Sequence, residues 1–463
     1  MLSIEVPATY QEERNYILRF IFEYCWGIEV NIQATGRCDT CISRGDEKHL
    51  IVAEGLFAVP EEKWLQSISL PPREPVMWGV PHELIDGSNL PSKLPILYGK
   101  SPKDVDFIEI ENHAISLGLD IFGSSFFMLS RYEEAIPGER DVHGRFLARE
   151  SIAHQWGILE RPIVNEYLEL LWSLLSRLWP NLSRIERTYR VHLSHDVDRP
   201  YSSDGALNVL KSAGADIVRR KDLSLALRRL RCGLVGRGDG RTHDPFNNFD
   251  YVMNQSEKFG LKSAFFFIPS QGRPGGSFGS YDLASPFLIE VMRRIALRNH
   301  EIGFHPNYGT YMDANRTRSE FARFRAVAET VGVNQDEWGG RQHYLQWENP
   351  GTWQNWQDAG LSYDSTLTFA DHVGFRCGIC FDYPVFNLHA KKMLELHERP
   401  LVVMECSLLD YMGIDIDSTI QRIVVLANEC RRYRGSFTML WHNDYLISKR
   451  QRDTYEQVLR QIN

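Results

Sequence analysis

The sequence predicts an α/β protein in which a distorted (β/α) barrel of about seven strands follows an N-terminal α+β domain. From residue 186 onward, short apolar strand-like runs alternate with amphipathic helical patterns, which is typical of parallel βα units. Four of these runs end in ionisable side chains, and the carboxyl ends of barrel strands are where active sites of this architecture form. A doubly wound sheet is the alternative architecture for the same pattern.

The N-terminal domain is predicted to span residues 1–185, and the sequence indicates no function for it. Apolar side chains at helical spacing predict three helices there, over residues 12–24, 120–134 and 161–178. The helical pattern breaks at Pro180, which places the predicted domain boundary near residue 185.

The barrel domain is predicted to span residues 186–463. Short apolar runs predict its strands at residues 189–194, 263–268, 301–304, 337–340, 361–363, 401–405 and 436–441. Helical patterns lie between these runs or follow them, at residues 205–232, 247–259, 285–298, 317–331, 350–359, 416–433 and 451–462.

The composition is that of a soluble globular protein, with 43% hydrophobic and 24% charged residues. A net charge of −8 argues against nucleic acid or an anionic membrane surface as the main partner. No apolar run approaches the roughly 18 residues that a membrane span needs. The first residues lack the pattern of a secretory signal, so a cytoplasmic location is expected. The oligomeric state has no signal in the sequence.

Two carboxylates follow the first predicted barrel strand. Asp196 and Asp198 are separated by Val197, and residues i and i+2 of an extended backbone face the same side. One carboxylate can bind a divalent cation while the other accepts a proton from water. This division of labour suits metal-assisted hydrolysis.

Three later strands end in groups that complement the two carboxylates. His305 offers an imidazole as a metal ligand, and Arg341 offers a fixed positive charge that orients a carboxylate. His442 is a candidate general acid for the leaving group.

The order of these motifs resembles that of the NodB-type polysaccharide deacetylases (carbohydrate esterase family four). The resemblance covers residues 186–463 and lies in four segments: 194–198, 300–305, 341–344 and 440–442. It implies a distorted (β/α) barrel and a divalent metal, with zinc the expected ion, that removes N- or O-acetyl groups from sugars. Asp196 falls on the family's base, and Arg341 and His442 fall on two further catalytic motifs. Segments 130–134 and 141–146 resemble the uncharacterised domain that precedes this barrel in a bacterial subgroup.

Two positions depart from the family's pattern. The metal-binding Asp of the first motif is replaced by Val197, so Asp198 is expected to bind the metal one residue later. The second His of the second motif falls on Gly309, which has no side chain to bind with.

Two histidines are candidates to replace the missing ligand. His343 follows Arg341 by two residues and would face the same side, whereas His195 would face away from Asp196 toward the barrel wall. We therefore predict Asp198, His305 and His343 as the metal ligands. In the alternative, the metal is absent and the protein binds carbohydrate in surface polysaccharide assembly without hydrolysing it.

The predicted substrate-binding residues are Tyr344, Asp371 and Trp441. The segment 364–387 combines polar side chains with aromatic rings that could stack on a sugar, namely Phe369, Phe375, Phe381 and Tyr383. Trp353 and Trp356 lie on a predicted helix and are expected in the core. The expected substrate is a cytoplasmic sugar precursor of a surface polysaccharide. Hydrolysis of a non-sugar amide by the same barrel is an alternative.

Overall fold

Two large β-sheets organise the protein, one in the N-terminal part of the chain and one in the rest. The computed structural model describes residues 1–104, 106–202, 206–218, 222–235, 244–269 and 281–463. Each sheet has its own helices, and the functional residues follow strands of the second sheet.

The N-terminal part contains the strands β1 (Leu2–Pro7), β2 (Val30–Thr35), β3 (Thr40–Ser43), β4 (His49–Val52), β5 (Met77–Gly79), β6 (Lys93–Pro95), β7 (Ile108–Ile110) and β8 (Ala114–Leu117). Among the described residues, six of them form one mixed sheet in the order β2-β1-β3-β4-β8-β7, and β5 pairs with β6. Leu2, Ile4 and Val6 of β1 are buried while the residues between them are half-buried, which is the alternation of a sheet with one face on the core.

The helices of this part are α1 (Gln11–Arg19), α2 (His82–Ile85), α3 (Ile121–Leu129), α4 (Ile152–Gln155) and α5 (Ile163–Leu178), and α1 continues as a π-helical turn over Phe20–Cys25. The three predicted helices are therefore confirmed, although 120–134 ends in a 3₁₀ turn rather than in regular helix. Every residue of α3 is buried, and the Asp120 side chain caps its first turn by accepting from the Gly123 amide at 2.7 Å.

The second sheet contains β9 (Arg190–Val197), β10 (Ser263–Phe267), β11 (Glu301–Phe304), β12 (Gly339–Gly340), β13 (Tyr363–Asp364), β14 (Tyr383–Asn387), β15 (Lys392–Glu398), β16 (Val403–Met404) and β17 (Ser436–Leu440). Within the described residues the strand order is β14-β15-β13-β12-β11-β10-β9-β17-β16. Each predicted strand is present, and β14 and β15 are additional.

From β9 to β13 the order of the second sheet follows the chain, and the last strand, β17, returns to pair with the first, β9. The described pairings are parallel except that of β14 with β15. Among the described residues the hydrogen-bonded ladder is open, with β14 and β16 at its edges, so the predicted distorted (β/α) barrel is not confirmed by the topology. The structure confirms a mixed α/β architecture, in which the carboxyl ends of the parallel strands lie at one edge of the sheet.

The helices that accompany this sheet are α6 (Ala206–Val218), α7 (Leu223–Val235), α8 (Phe249–Lys258), α9 (Pro286–Leu297), α10 (Ala314–Thr330), α11 (Gly351–Ala359), α12 (Ile416–Arg432) and α13 (Lys449–Ile462). The predicted helix 205–232 corresponds to α6 and α7, while its residues 205 and 219–221 lie outside the described part. In the described part of the chain, no helix has an apolar stretch long enough to cross a bilayer.

The two parts share one continuous hydrophobic core. Tyr16 of α1 donates its hydroxyl to the Pro384 carbonyl in β14 at 2.8 Å, and Phe126 of α3 meets Phe386 edge-on at 5.3 Å. Both contacts are buried, so α1 and α3 of the N-terminal part pack directly on an edge strand of the second sheet. The domain division at residue 185 stays a prediction.

Candidate functional site

Parallel pairing brings the predicted catalytic residues to one edge of the second sheet. Asp196 lies near the end of β9, His305 directly follows β11, Arg341 directly follows β12, and His442 lies two residues beyond β17. The His305 amide donates to the Phe267 carbonyl and the Arg341 amide to the Phe304 carbonyl, each at 3.0 Å. These bonds extend the ladder past the strand ends and orient the side chains that follow.

A cluster of three potential metal ligands lies at this edge: Asp198, His305 and His343. Oδ1 of Asp198 is 3.1 Å from Nε2 of His305 and 3.5 Å from Nε2 of His343. Ligands bound tetrahedrally at about 2.0–2.2 Å are separated by roughly 3.4 Å. The spacing of these atoms therefore fits a shared tetrahedral cation.

Hydrogen bonding orients one of the two imidazoles for ligation. Nδ1 of His305 donates to the Arg341 carbonyl at 2.6 Å, so Nε2 faces the cluster, where it is hydrogen-bonded to Oδ1 of Asp198 at 3.1 Å. Loss of the Nε2 proton would leave this nitrogen free to bind a cation. Nδ1 of His343 is buried and has no hydrogen-bond partner among the described residues. His343 is instead held by its backbone turn and by its ring contact with His305, whose centroid is 4.8 Å away.

The protonation states of His343 and Asp198 also suit a cation. Burial alone would lower the pKa of His305, but Asp196 and Asp198 outweigh it and raise that pKa, so a cation has to displace a proton from this imidazole. Burial lowers the pKa of His343 to about 4, so this imidazole is neutral near pH 7. Burial alone would raise the pKa of Asp198, but the neighbouring imidazoles of His343 and His305 outweigh it and hold that pKa far below its ordinary value. A neutral imidazole and an ionised carboxylate are the forms that bind metals.

Arg341 holds the carboxylate of Asp196 in the interior. Its Nη1 donates to Oδ1 of Asp196 at 2.8 Å, while Nε donates to the Ser365 carbonyl at 2.8 Å and Nη2 to the Ser194 hydroxyl at 3.0 Å. Oδ2 of Asp196 lies 4.0 Å from Nε2 of His305. One oxygen of Asp196 is thus anchored and the other faces the ligand cluster.

His442 is paired with a residue that the sequence interpretation missed. Its Nδ1 donates to Oε1 of Glu405 at 2.6 Å, and its Nε2 is 3.9 Å from Oδ2 of Asp198. Burial alone would lower the pKa of His442, but the Glu405 carboxylate outweighs it and raises that pKa to about 10. Glu405 ends the predicted strand 401–405, so the strand-end pattern that identified the other residues also applied to it.

His195 and Gly309 take no part in the ligand cluster. Nδ1 of His195 donates to the Trp441 carbonyl at 2.6 Å, its Nε2 is 3.1 Å from the Ser263 hydroxyl, and its ring stacks on Phe265. His195 therefore faces the wall of the sheet, as expected. Gly309 adopts a left-handed φ of 77° in the loop after β11.

The three predicted substrate-binding residues are placed differently from one another. Tyr344 follows His343 directly, is half-buried, and has its ring 5.0 Å from the His343 ring. The Asp371 carboxylate lies 3.5 Å from Nδ1 of His372, and neither belongs to the ligand cluster. Trp441 is 1% exposed and its ring packs against Tyr455 of α13, so a role for it in substrate binding stays a prediction.

The aromatic rings of the segment 364–387 are core residues. Phe369, Phe375, Phe381 and Tyr383 are all buried, so the expectation that they stack on a sugar is wrong. This segment is covered by α3 and α5, which a reading of local composition could not show. Trp353 and Trp356 are buried, as expected for a helix that packs on the sheet.

The N-terminal part matches a family model, and about 60% of the chain has distant structural likenesses. A family of unknown function, DUF7033, matches residues 2–180. No curated protein matches the chain.

Three solved structures are similar to the chain at low identity. A candidate polysaccharide deacetylase from Mycobacterium smegmatis is 17% identical, with a TM-score of 0.38 over 61% of this chain and 86% of that one. The Xyl-CE4 domain of a multidomain xylanase from the hindgut metagenome of Trinervitermes trinervoides is 11% identical, with a TM-score of 0.28. The match covers 60% of this chain and 82% of that one. Puue allantoinase is 12% identical, with a TM-score of 0.34, and the match covers 59% of this chain and 83% of that one.

Proposed function

We propose that this protein is a metal-dependent hydrolase that removes an acetyl group from an N- or O-acetylated sugar. One observation carries the proposal: an anchored carboxylate, a three-ligand cluster and a histidine paired with a buried glutamate meet at one edge of the second sheet. Together they offer a base, a cation site and an acid, which are the parts that hydrolysis of an amide or ester needs.

Asp198, His305 and His343 would hold the cation. One carboxylate oxygen and two imidazole nitrogens form a donor set that suits zinc, and three protein ligands leave a position open for substrate or water. When bound there, a divalent cation would polarise the acetyl carbonyl and lower the pKa of water.

Asp196 acts as the general base in this proposal. Arg341 binds its Oδ1, so Oδ2 is the oxygen that accepts a proton from the attacking water. The water oxygen forms a bond to the acetyl carbon while its proton passes to Oδ2. Arg341 holds the carboxylate in place throughout, because its other nitrogens are bound to Ser194 and Ser365.

His442 acts as the general acid. Glu405 binds its Nδ1, so Nε2 is the atom that donates a proton to the leaving nitrogen or oxygen as the bond to the acetyl carbon breaks. The products are acetate and a free amine or hydroxyl on the sugar. A raised pKa keeps His442 protonated before this step.

We propose that the methyl group of the acetyl substituent lies on the side of the site where a buried apolar cluster begins. The cluster consists of Leu345, Ala370, Leu401, Met404 and Leu440. Leu440 precedes His442 by two residues in the sequence, and Leu345 follows His343 by two. Tyr344 at the rim is the residue we propose to contact the sugar.

Paired asparagine variants of the two carboxylates test this assignment. Asp196→Asn should retain zinc but lose turnover by about 10²–10⁴-fold, because the amide keeps the shape and cannot accept the proton. Asp198→Asn and His343→Ala should lose zinc and turnover together. Zinc content by elemental analysis and acetate release from an N-acetylated oligosaccharide provide the two measurements. Equal zinc content in both asparagine variants would remove Asp198 from the ligand set.

A second function, carbohydrate binding without hydrolysis, is favoured by one observation, the glycine at position 309. The position of His343 weighs against it, because this histidine already supplies a third ligand. A wild-type chain that binds the oligosaccharide, holds no zinc and releases no acetate would establish this second function instead.

A further inference from the structure

A loop of the N-terminal part, residues 141–146, lies against the site. Its turn is stabilised internally, since the Asp141 carboxylate accepts from the His143 amide at 2.8 Å and from the amide and Nε of Arg145 at 2.9 and 2.7 Å. A backbone bridge between Arg140 and Phe146 closes its base. The loop is therefore a preformed unit.

This loop binds the turn that carries His343. Nη1 of Arg145 donates to the Tyr344 carbonyl at 3.1 Å, and the Gln346 side-chain amide donates to the His143 carbonyl at 2.7 Å. The His143 ring lies 4.9 Å from the Tyr344 ring. Arg145 is 8% exposed, so its hydrogen bond to Tyr344 is shielded from water.

The same loop also contacts the segment that follows His305. Nδ1 of His143 is hydrogen-bonded to the Tyr308 hydroxyl at 3.0 Å. Gln346 completes the link, because its Oε1 accepts from the Gly309 amide at 2.8 Å. The N-terminal loop thus joins the two loops that bear the candidate imidazole ligands.

The turn that Arg145 binds is strained. Tyr344 has φ 61° and ψ 14°, and Leu345 has φ 55°, although neither is glycine. A residue in such a conformation is strained and persists only where its surroundings hold it. His343 immediately precedes both, so relaxation of this turn would move its imidazole.

We propose that Arg145 is a positioning residue for the metal site. Through the Tyr344 carbonyl it holds the strained turn, and thereby keeps Nε2 of His343 directed at Asp198 and His305. This inference rests on the proposed function, and it adds that the N-terminal part completes the metal site.

Cobalt binding to the full-length chain tests the inference, with Co²⁺ alone as a spectroscopic probe for the site. Arg145→Ala should weaken Co²⁺ binding by about 10–100-fold and change the visible absorption of the bound ion, as loss of a group that orients a ligand does. In Arg145→Lys the loss of Co²⁺ affinity should be intermediate, because an ammonium lacks the planar fork by which separate nitrogens of Arg145 bind Asp141 and the Tyr344 carbonyl. Arg149→Ala is the control, since Arg149 is exposed and pairs with Glu139 and Glu150.

Hydrogen exchange of the metal-free chain gives a second measurement. Amides of residues 343–346 should exchange faster in Arg145→Ala than in wild type. Wild-type cobalt affinity and absorption together with unchanged exchange in Arg145→Ala would overturn the inference. If Arg145→Ala does not fold, wild-type affinity in Arg145→Lys would overturn it.

A separate outcome concerns the proposed function alone. If the wild-type chain binds no Co²⁺, the metal-dependent function fails, and exchange at residues 343–346 alone decides the role of Arg145. Faster exchange at these residues in Arg145→Ala then supports the positioning role of Arg145, and unchanged exchange overturns it.

Discussion

Arg341 carries a positive charge into the second sheet at a position with no exposed surface. Its charge is neutralised by Asp196, and its remaining donors are satisfied by Ser194 and Ser365. An unpaired buried charge would cost several kcal/mol, so these residues work as a unit. His195 differs from Arg341 because its titratable side chain is buried in the neutral form and needs no counter-charge.

The His195 side chain should make stability depend on pH. Burial lowers its pKa to about 4, although its hydrogen bond to the Trp441 carbonyl opposes this. The unfolded chain binds a proton near the ordinary value of 6.5 and the folded chain does not. The stability that His195 contributes is therefore present above pH 6.5 and is lost as the pH falls toward 4.

His195→Asn should reduce the slope of stability against pH in this window. The amide can still donate to the Trp441 carbonyl but takes up no proton. The expected reduction is about 1.4 kcal/mol per pH unit, which corresponds to one proton. Urea unfolding of metal-free protein measures it, and His82→Asn at an exposed histidine is the control. Equal slopes in His195→Asn and wild type would contradict the assignment.

At the scale of elements, short strands with glycines set the spacing of the site. β12 consists only of Gly339 and Gly340, and a Cβ at residue 340 would stand 1.8 Å from the Phe304 carbonyl oxygen in β11. The two strands can approach this closely only because residue 340 has no side chain. His305 and Arg341 follow β11 and β12, so their separation depends on this contact.

Gly340→Ala should separate β11 from β12 and damage the site and the fold together. Overpacking costs about 1–3 kcal/mol or more, and here the obstacle is backbone that cannot rotate away. We expect a lower urea midpoint and lower zinc content. Gly351→Ala at the start of α11 is the matched control, since a Cβ there meets nothing within 4 Å. A variant Gly340→Ala with wild-type stability and zinc content would show that the strand spacing is adjustable.

At the scale of the whole molecule, a buried ion network joins the N-terminal part to the second sheet. Glu134 accepts from Nε of Arg131 and from Nε of Arg376, each at 2.9 Å. Nη1 of Arg376 then donates to the Thr368 carbonyl at 2.7 Å. The segment 130–134 is therefore a structural connection to the loop between β13 and β14.

Glu134→Gln should destabilise the protein by about 3–5 kcal/mol, because two buried arginines lose their shared carboxylate. Burial alone would raise the pKa of Glu134, but Arg376 and Arg131 outweigh it and lower that pKa to about 2. The stabilising effect is thus present above pH 4.5 and is lost as the pH falls toward 2, so the penalty of the variant should shrink in that range. Glu139→Gln, which removes an exposed ion pair, should cost less than about 1 kcal/mol. Equal penalties in the two variants at neutral pH would contradict the role of the network.

The alternation of strands and helices and the identity of the residues at the strand ends could be predicted from the sequence alone. Both are local properties, because a period of two or of 3.6 residues and a polar group after an apolar run can be seen in one window of sequence. The choice of His343 over His195 was local in the same way, since it follows from the alternation of side chains along a strand.

The partners that meet across long separations could be identified only from the folded chain. It showed that Glu405 pairs with His442, that Trp441 and Phe369 are core residues, and that Arg145 reaches the turn after His343. It also showed that, among the described residues, the ladder of the second sheet does not close, whereas a distorted (β/α) barrel was predicted. The pairings of Glu405 with His442 and of Arg145 with Tyr344 join segments more than 30 residues apart, and no local pattern records which segments these are.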